Sequence, residues 1–346
     1  MQSISENTFR RQENDYYRIF WEKTAQGGAK VLRILGQLPA VTVPDEIDGY
    51  PVTELGDYCF SRTAHLPDRG YFVSDISVSE YNLSNKDRND DYANAITELC
   101  GSYVESVCLP DSLVKIGNYA FYNCRNLNKL EIGHQCRTFG SDAFMNCYKL
   151  QQIDLRCNAL ESSSLQKILV QISWDVEVSF TGQCKPASLF YPEYYETYDE
   201  IAPAHIFERR IAGGGFSARQ CFLNHKVDYA KYDSVFLQAS NAESRQTMWH
   251  LSLCRLRYPV CLSSQADIFY RNYISSHEIA LVRYLTEQKA LDVLEFLFQE
   301  KLISQEAIQT AVLSASSAGW AEGCACMMRW QQSGAGGSIM DRYSFD

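Results

Sequence analysis

The sequence lacks any apolar run close to the roughly 20 residues of a membrane-spanning helix, which excludes an integral helical membrane protein. It lacks an excess of positive charge. Its 32 Lys and Arg face 42 Asp and Glu, for a formal net charge of −10. That balance disfavours a general nucleic-acid binder, and equally a binder of anionic membranes, because both need a basic surface. The residues after Arg10 and Arg11 lack the roughly 7–15-residue apolar stretch of a secretory signal. The expected location is therefore cytoplasmic, with the cell surface as the alternative for a chain whose leader has been removed. No Gly-x-Ser-x-Gly or His-Glu-x-x-His signature occurs, and no histidine falls in a Cys-His signature. Disorder throughout is also excluded, since 46% of the residues are apolar and 21% are charged. The 13 cysteines are odd in number and spread from Cys59 to Cys326. They do not cluster as in a disulfide-stapled domain, and they read as reduced, mostly buried thiols.

The chain does contain repeats. Ile116-Gly117-Asn118-Tyr119-Ala120-Phe121 returns as Phe139-Gly140-Ser141-Asp142-Ala143-Phe144, an offset of 23 residues. The same offset carries Asn123-Cys124 onto Asn146-Cys147, Leu127 onto Leu150, Leu130 onto Ile153 and Ile132 onto Leu155. An earlier copy is Leu55-Gly56-Asp57-Tyr58-Cys59-Phe60. Each unit offers a short strand whose apolar residues lie two apart and so share one face: Val107 and Leu109, Leu130 and Ile132, Ile153 and Leu155. One unit cannot bury that face alone, so stacked units must share a core. A period of this length lies in the leucine-rich repeat range. Cys124 and Cys147 occupy equivalent sites and read as small buried hydrophobes in a ladder.

Val43-Pro44, Ile47-Asp48-Gly49-Tyr50-Pro51-Val52-Thr53, Leu55-Gly56 and Phe60 resemble the opening of BspA-like leucine-rich repeat proteins. So do Leu109-Pro110, Ile116-Gly117, Ala120-Phe121 and Asn123-Cys124. The resemblance covers residues 30–156. It implies a solenoid that binds other macromolecules, often at a bacterial cell surface. The chain departs from the family pattern in having few repeats, no visible leader and an interruption.

That interruption, 61–95, is rich in Asp, Asn and Ser and reads as a surface excursion. Within it, Asp87, Asn89 and Asp91 are spaced like positions 1, 3 and 5 of an EF-hand-like calcium loop, with Glu98 at position 12. Tyr92 stands where that motif needs glycine, so a solvated loop is the stronger reading and no metal is assigned.

After Leu155 the repeat fades. A helix is expected over 159–172 and a strand over 176–180. The stretch 189–222 reads as a connector dense in tyrosine and carboxylates, with glycines at 213–215. From 228 the pattern turns helical. Ser275-x-x-Glu278 resembles a capping box, and Ser304 is placed to cap a later helix. The segment 291–304 resembles an ankyrin-type helix, though the chain lacks the Thr-Pro-Leu-His signature. The resulting organisation is an N-terminal cap (1–29), repeats (30–156), a mixed connector (157–227), a helical-repeat domain (228–330) and a mobile tail (331–346). The fold class is an α/β repeat, a short and irregular leucine-rich repeat solenoid, followed by an all-α helical-repeat domain.

Candidate chemistry is thin. Cys324-x-Cys326 and Cys221-x-x-x-His225 are single pairs without a second pair at zinc spacing. Gly213-Gly214-Gly215 is followed by no Lys-Ser or Lys-Thr and reads as a turn, not a phosphate loop. Arg209, Arg210 and Arg219 make a local basic spot suited to internal ion pairs. Tyr191, Tyr194, Tyr195 and Tyr198 read chiefly as core at the domain junction. The stronger candidate is the strand face, where Ser106 and Cys108, Lys129 and Glu131, and Gln152 and Asp154 point outward. Glu131 and Asp154 should be neighbours in a partly acidic patch suited to a partner with a basic surface. The expected function is a non-catalytic scaffold that binds another protein through this face and the insertion. No cofactor, nucleic acid or membrane insertion is implied. The alternatives are an enzyme with a site at the connector and an exported adhesin.

Overall fold

The computed structural model describes residues 16–63, 66–68, 70–77, 96–182, 186–201, 205–240 and 243–334. These fall into two compact units, 16–240 and 243–334.

The first unit is the solenoid. Its six-stranded sheet runs Ala187–Tyr191, Val176–Phe180, Gln152–Arg156, Lys129–Gly133, Ser106–Cys108, Ala40–Thr42. All neighbours are parallel except the first pair. Alternation sets which side chains are buried. Val107, Leu130, Ile153 and Val178 lie in register and are fully buried. The eight-stranded sheet gathers the other side of the coils, with Lys115–Ile116 and Thr138–Phe139 parallel to Tyr50–Leu55.

Between the sheets the repeated turns stack. The Phe60, Phe121 and Phe144 rings lie 5.0 and 5.3 Å apart and nearly parallel. Cys124 Sγ donates to Phe60 O at 3.3 Å, and Cys147 Sγ donates to Phe121 O at 3.0 Å. The cysteine ladder is thus both buried and hydrogen-bonded, each thiol tying its coil to the preceding one. Gly140 is required by close approach, since a Cβ there would sit 2.3 Å from the Asn118 amide nitrogen.

Three expectations need correction in this unit. Part of the interruption is sheet. Phe72–Ser77 pairs antiparallel with Tyr16–Lys23 and forms a sheet edge, where Trp21 Nε1 donates to Ser74 Oγ and the Trp21 and Phe72 rings lie 5.0 Å apart. The repeat also does not fade at Leu155. Val176–Phe180 continues the parallel ladder, and the intervening helix is only Leu165–Leu169. Past that helix, Gln171 takes over the turn-side hydrogen bonds, accepting from Ala143 N and donating to Gly140 O. Finally, the helix Tyr229–Ala239 belongs to this first unit. The Tyr232 hydroxyl donates to Phe190 O, and its ring meets Tyr191 edge-on at 5.5 Å, so the helix covers the last strand.

The connector is organised by a buried arginine. Arg219 is 1% exposed. Its guanidinium donates to Ile172 O at 3.0 Å, Trp174 O at 2.7 Å and Gly215 O at 3.0 Å, and also to Pro192 O. A Cβ on Gly215 would lie 2.0 Å from Pro192 O, which accounts for glycine there. Of the tyrosine cluster, Tyr191 is core and Tyr194 packs on Phe216, whereas Tyr195 and Tyr198 are exposed.

The second unit holds the helices Arg245–Arg257, Ser264–Ser276, Glu278–Glu287, Leu291–Gln299, Gln305–Ser317 and Ala321–Gly334. Ser244, Ser263 and Ser304 cap three of them by accepting from the backbone three residues on. The capping box at Ser275 is not formed. Ser275 lies inside a helix, and Glu278 instead accepts from Ser304 N and Oγ, tying two helix starts together. Lys289, Lys301 and Gly319 follow three successive helices with φ of 53°, 55° and 65°. The next amide in each case bonds back five residues, closing a Schellman turn. The core includes Leu253, Tyr270, Leu281, Leu285, Leu294 and Leu297. The segment expected to be ankyrin-like is helical over Leu291–Gln299, which bears out a helix but not an ankyrin repeat. Of the tail, Gln331–Gly334 continues the last helix, and the remainder lies outside the described residues.

Candidate interaction surfaces

The strand face forms two side-chain rows. Ser106, Lys129, Gln152 and Glu177 lie in one; Cys108, Glu131, Asp154 and Ser179 lie in the other. Glu131 and Asp154 are neighbours, as the pattern requires. The Glu131–Asp154 patch is not left open, because each of these two carboxylates is matched to a cation. Lys129 Nζ lies 2.7 Å from Asp154, and Arg156 lies 2.7 Å from both Glu131 and Asp111. Arg156 also donates to Leu109 O. The Lys129 and Asp154 side chains are only 13% and 12% exposed. This face is an internally bonded network in which Lys129 and Arg156 serve Asp154, Glu131 and Asp111, and Glu177 accepts from Ser188 Oγ.

A different surface lies on the turn side. Tyr58, Thr63, Tyr119, Tyr122 and Met145 line an open groove of about 560 Å³. The Tyr58 and Tyr119 rings stack at 5.1 Å with 13° between planes, and Tyr122 meets Tyr119 edge-on at 5.9 Å. Met145 is 44% exposed. Tyr58, Tyr119 and Asp142 hold the equivalent place in successive turns, with φ of 58°, 54° and 51°. Asp tolerates that left-handed backbone; a bulky aromatic disfavours it. Asp142 faces the Tyr119 hydroxyl and raises its pKa. The sequence signal was the aligned Tyr58 and Tyr119. Both rings are half-buried and line the groove.

Other candidates separate. Asp87, Asn89 and Asp91 lie outside the described residues, and Glu98 sits 4.0 Å from the buried Arg33 guanidinium. Cys221 is buried and bonded to Ser217 O, whereas His225 is exposed on the adjoining turn. Cys324 faces Val312 O, and Cys326 accepts from Arg329. Among the described residues no group of three or more His, Cys, Asp or Glu is arranged to hold a metal. Burial pushes the Cys221 and Cys108 thiols up to about 11 and the Cys136 thiol up to about 12, opposite to what a thiolate nucleophile needs. Arg209 pairs with Glu196, and Arg210 with Asp199 and Glu208, so two of the three arginines of the basic spot serve internal ion pairs. No helix among the described residues is long and apolar enough to cross a membrane.

A family model agrees with this geometry. Residues 98–173 match the family model described as a BspA type leucine rich repeat region (6 copies). No curated protein matches the chain. Among solved structures, a leucine rich cell surface protein from Faecalibacterium prausnitzii is 21% identical, with 40% of this chain and 31% of that one covered, at a TM-score of 0.26. The leucine rich repeat protein of T. pallidum is 19% identical, with 39% and 67% covered, at a TM-score of 0.21. This chain thus spans about a third of the length of the first of these. The stacked coils of the first unit, over residues 98–173, are BspA-type leucine-rich repeats.

Proposed function

We propose that the protein is a non-catalytic protein-binding module whose principal contact is the tyrosine groove. One observation carries the reading: two tyrosines occupy a backbone conformation that costs an L-residue about 1–2 kcal/mol. The same place in the next turn holds an aspartate. Strain kept at half-buried rings that line an open groove favours a site selected for contact rather than for stability. Tyrosine and methionine are residues enriched in protein interfaces. The strand face predicted from the sequence competes less well, because its charges are already satisfied internally. The thiol-rich core suits a reducing compartment, and the proposal places the protein in the cytoplasm.

The test is quantitative capture of partners from source lysate by the wild type, a Tyr58→Asn, Tyr119→Asn variant and a Gln152→Ala variant, with folding checked by circular dichroism. A partner held by the wild type and by Gln152→Ala, but lost from the groove variant, is the expected result. Capture lost only from Gln152→Ala would move the site to the strand face. Equal capture by all three would sink the assignment to either surface.

A further inference from the structure

Among the described residues, Tyr195–Ile201 and Ile206–Ala212 pair only with each other. Every residue of this hairpin whose exposure is described is exposed, Tyr195 to Glu200 on one strand and Glu208 to Ala212 on the other. Both faces therefore meet solvent, with Tyr195 59% and Tyr198 62% exposed. A two-stranded ribbon of this kind is marginal in water by itself, and its two open edges are templates for a further strand. The ribbon is nevertheless held firmly at its root. Glu193 N donates to Asp175 at 2.7 Å and Tyr194 N to Ser173 O at 2.9 Å. The Tyr194 ring and the Arg209 guanidinium both pack on Phe216. A cleft of about 380 Å³ opens beside the first strand, lined by Val170, Gln171, Ser173 and Tyr195. Val170 is 66% exposed there.

We propose that this hairpin is a docking arm that takes an extended, basic segment of a partner protein as an added strand, alongside Tyr195–Ile201. Charge selects that occupant. Near the root Arg209 neutralises Glu196. Farther out, Asp199 and Glu208 lie directly opposite one another and share Arg210 at 3.2 Å each. Glu200, beside His205, adds a third carboxylate. The outer half thus carries three carboxylates to one guanidinium. A second copy would bring the same surplus and be repelled, whereas a lysine- or arginine-bearing strand relieves it. Main-chain pairing supplies the register, and alternate side chains of the incoming strand reach both faces. The inference rests on the reading of the protein as an interaction module but names a surface separate from the groove.

The test uses the full chain and a fluorescent peptide of alternating valine and lysine, matched to the seven residues of the strand. Anisotropy measures binding, and hydrogen exchange locates it. The expected result is saturable binding that slows exchange in 195–201, with no binding of the valine–glutamate counterpart. Asp199→Lys, Glu208→Lys should weaken binding about tenfold or more. Tyr58→Asn, Tyr119→Asn should leave it unchanged, which separates failure of the arm from failure of the groove. Both arm substitutions lie on exposed side chains, and exchange on the wild type needs no variant. Unslowed exchange in 195–201 at saturating peptide would overturn the proposal. So would equal binding of both peptides, or a dimer that the arm variant abolishes.

Discussion

Arg219→Met is the most informative perturbation of the first unit. Methionine keeps much of the length and apolar stem of arginine but removes every donor. Four carbonyls from three stretches of chain lose a partner: Ile172 and Trp174, Pro192, and Gly215. Gly215 O retains the Arg219 amide, so three of the four lose the only bond described for them. Hydrogen bonds to a charged donor are each worth about 1.5–3 kcal/mol, so the gross loss is about 6–12 kcal/mol. Against this stands the cost of burying the charge. Burial holds the Arg219 guanidinium down to about 10, well below its ordinary value. At about 1.4 kcal/mol per pKa unit, that is a relief of about 3 kcal/mol when the charge is removed. The net expectation is a destabilisation of about 3–9 kcal/mol, its lower part matching the about 3–5 kcal/mol seen when one member of a buried charged pair is deleted. Arg219→Lys should recover less than half of it, because an ammonium cannot present a planar fork to carbonyls on several sides. Urea titration followed by circular dichroism measures both, with the slope checked for constancy. A loss below about 1 kcal/mol for the methionine variant would refute the view that this guanidinium clamps the connector.

Lys289→Gly and Lys301→Gly should each stabilise the helical unit by about 0.5–1 kcal/mol, since both positions take positive φ just past a helix end. Thermal unfolding checks this, and a lower midpoint would show that the lysine stems contribute packing. His250 is held down to about 4 by burial. The unfolded chain takes up that proton near pH 6.5 and the folded chain resists it, so the stability tied to neutral His250 is complete above about 6.5 and declines as the pH falls toward 4. About 3 kcal/mol is at stake, and His250→Gln should flatten the difference in urea midpoint between neutral and acid pH. An identical slope in wild type and variant would assign the acid sensitivity elsewhere. Tyr119→Asn removes about 1–2 kcal/mol of backbone strain and a ring stack worth about 0.5–1.5 kcal/mol. Its stability should stay within about 1 kcal/mol of wild type, and a loss above about 2 kcal/mol would make the ring core rather than surface.

Much of the repeat unit is legible in the sequence alone. Strand alternation and the 23-residue offset are local facts, and they placed Val107, Leu130 and Ile153 in one buried row with Glu131 beside Asp154. The serine cap at 304 was legible for the same reason, since a cap is made within one turn of helix. Ser275 shows the limit of that logic. Its spacing to Glu278 suits a cap, but Glu278 found Ser304 across the helical unit, 26 residues away.

What escaped the sequence was set by contacts between distant segments. Phe72–Ser77 became a strand only because Tyr16–Lys23 offers it an edge. The Glu131–Asp154 patch is not left open because Lys129 and Arg156 have stems long enough to choose among carboxylates, and three-dimensional proximity made the choice. The triple glycine reads as a turn in the sequence, but only the fold shows Arg219 drawing Pro192 against Gly215. By itself the sequence determined the period, the buried rows, the stacked cysteines and the helical character of the C-terminal part, all consequences of short-range geometry. Tertiary structure alone decided which charges pair, which tyrosines line the groove and where, among the described residues, a ribbon pairs with no third strand. Pairing partners, backbone sign and exposure depend on what the rest of the chain brings within a few ångströms.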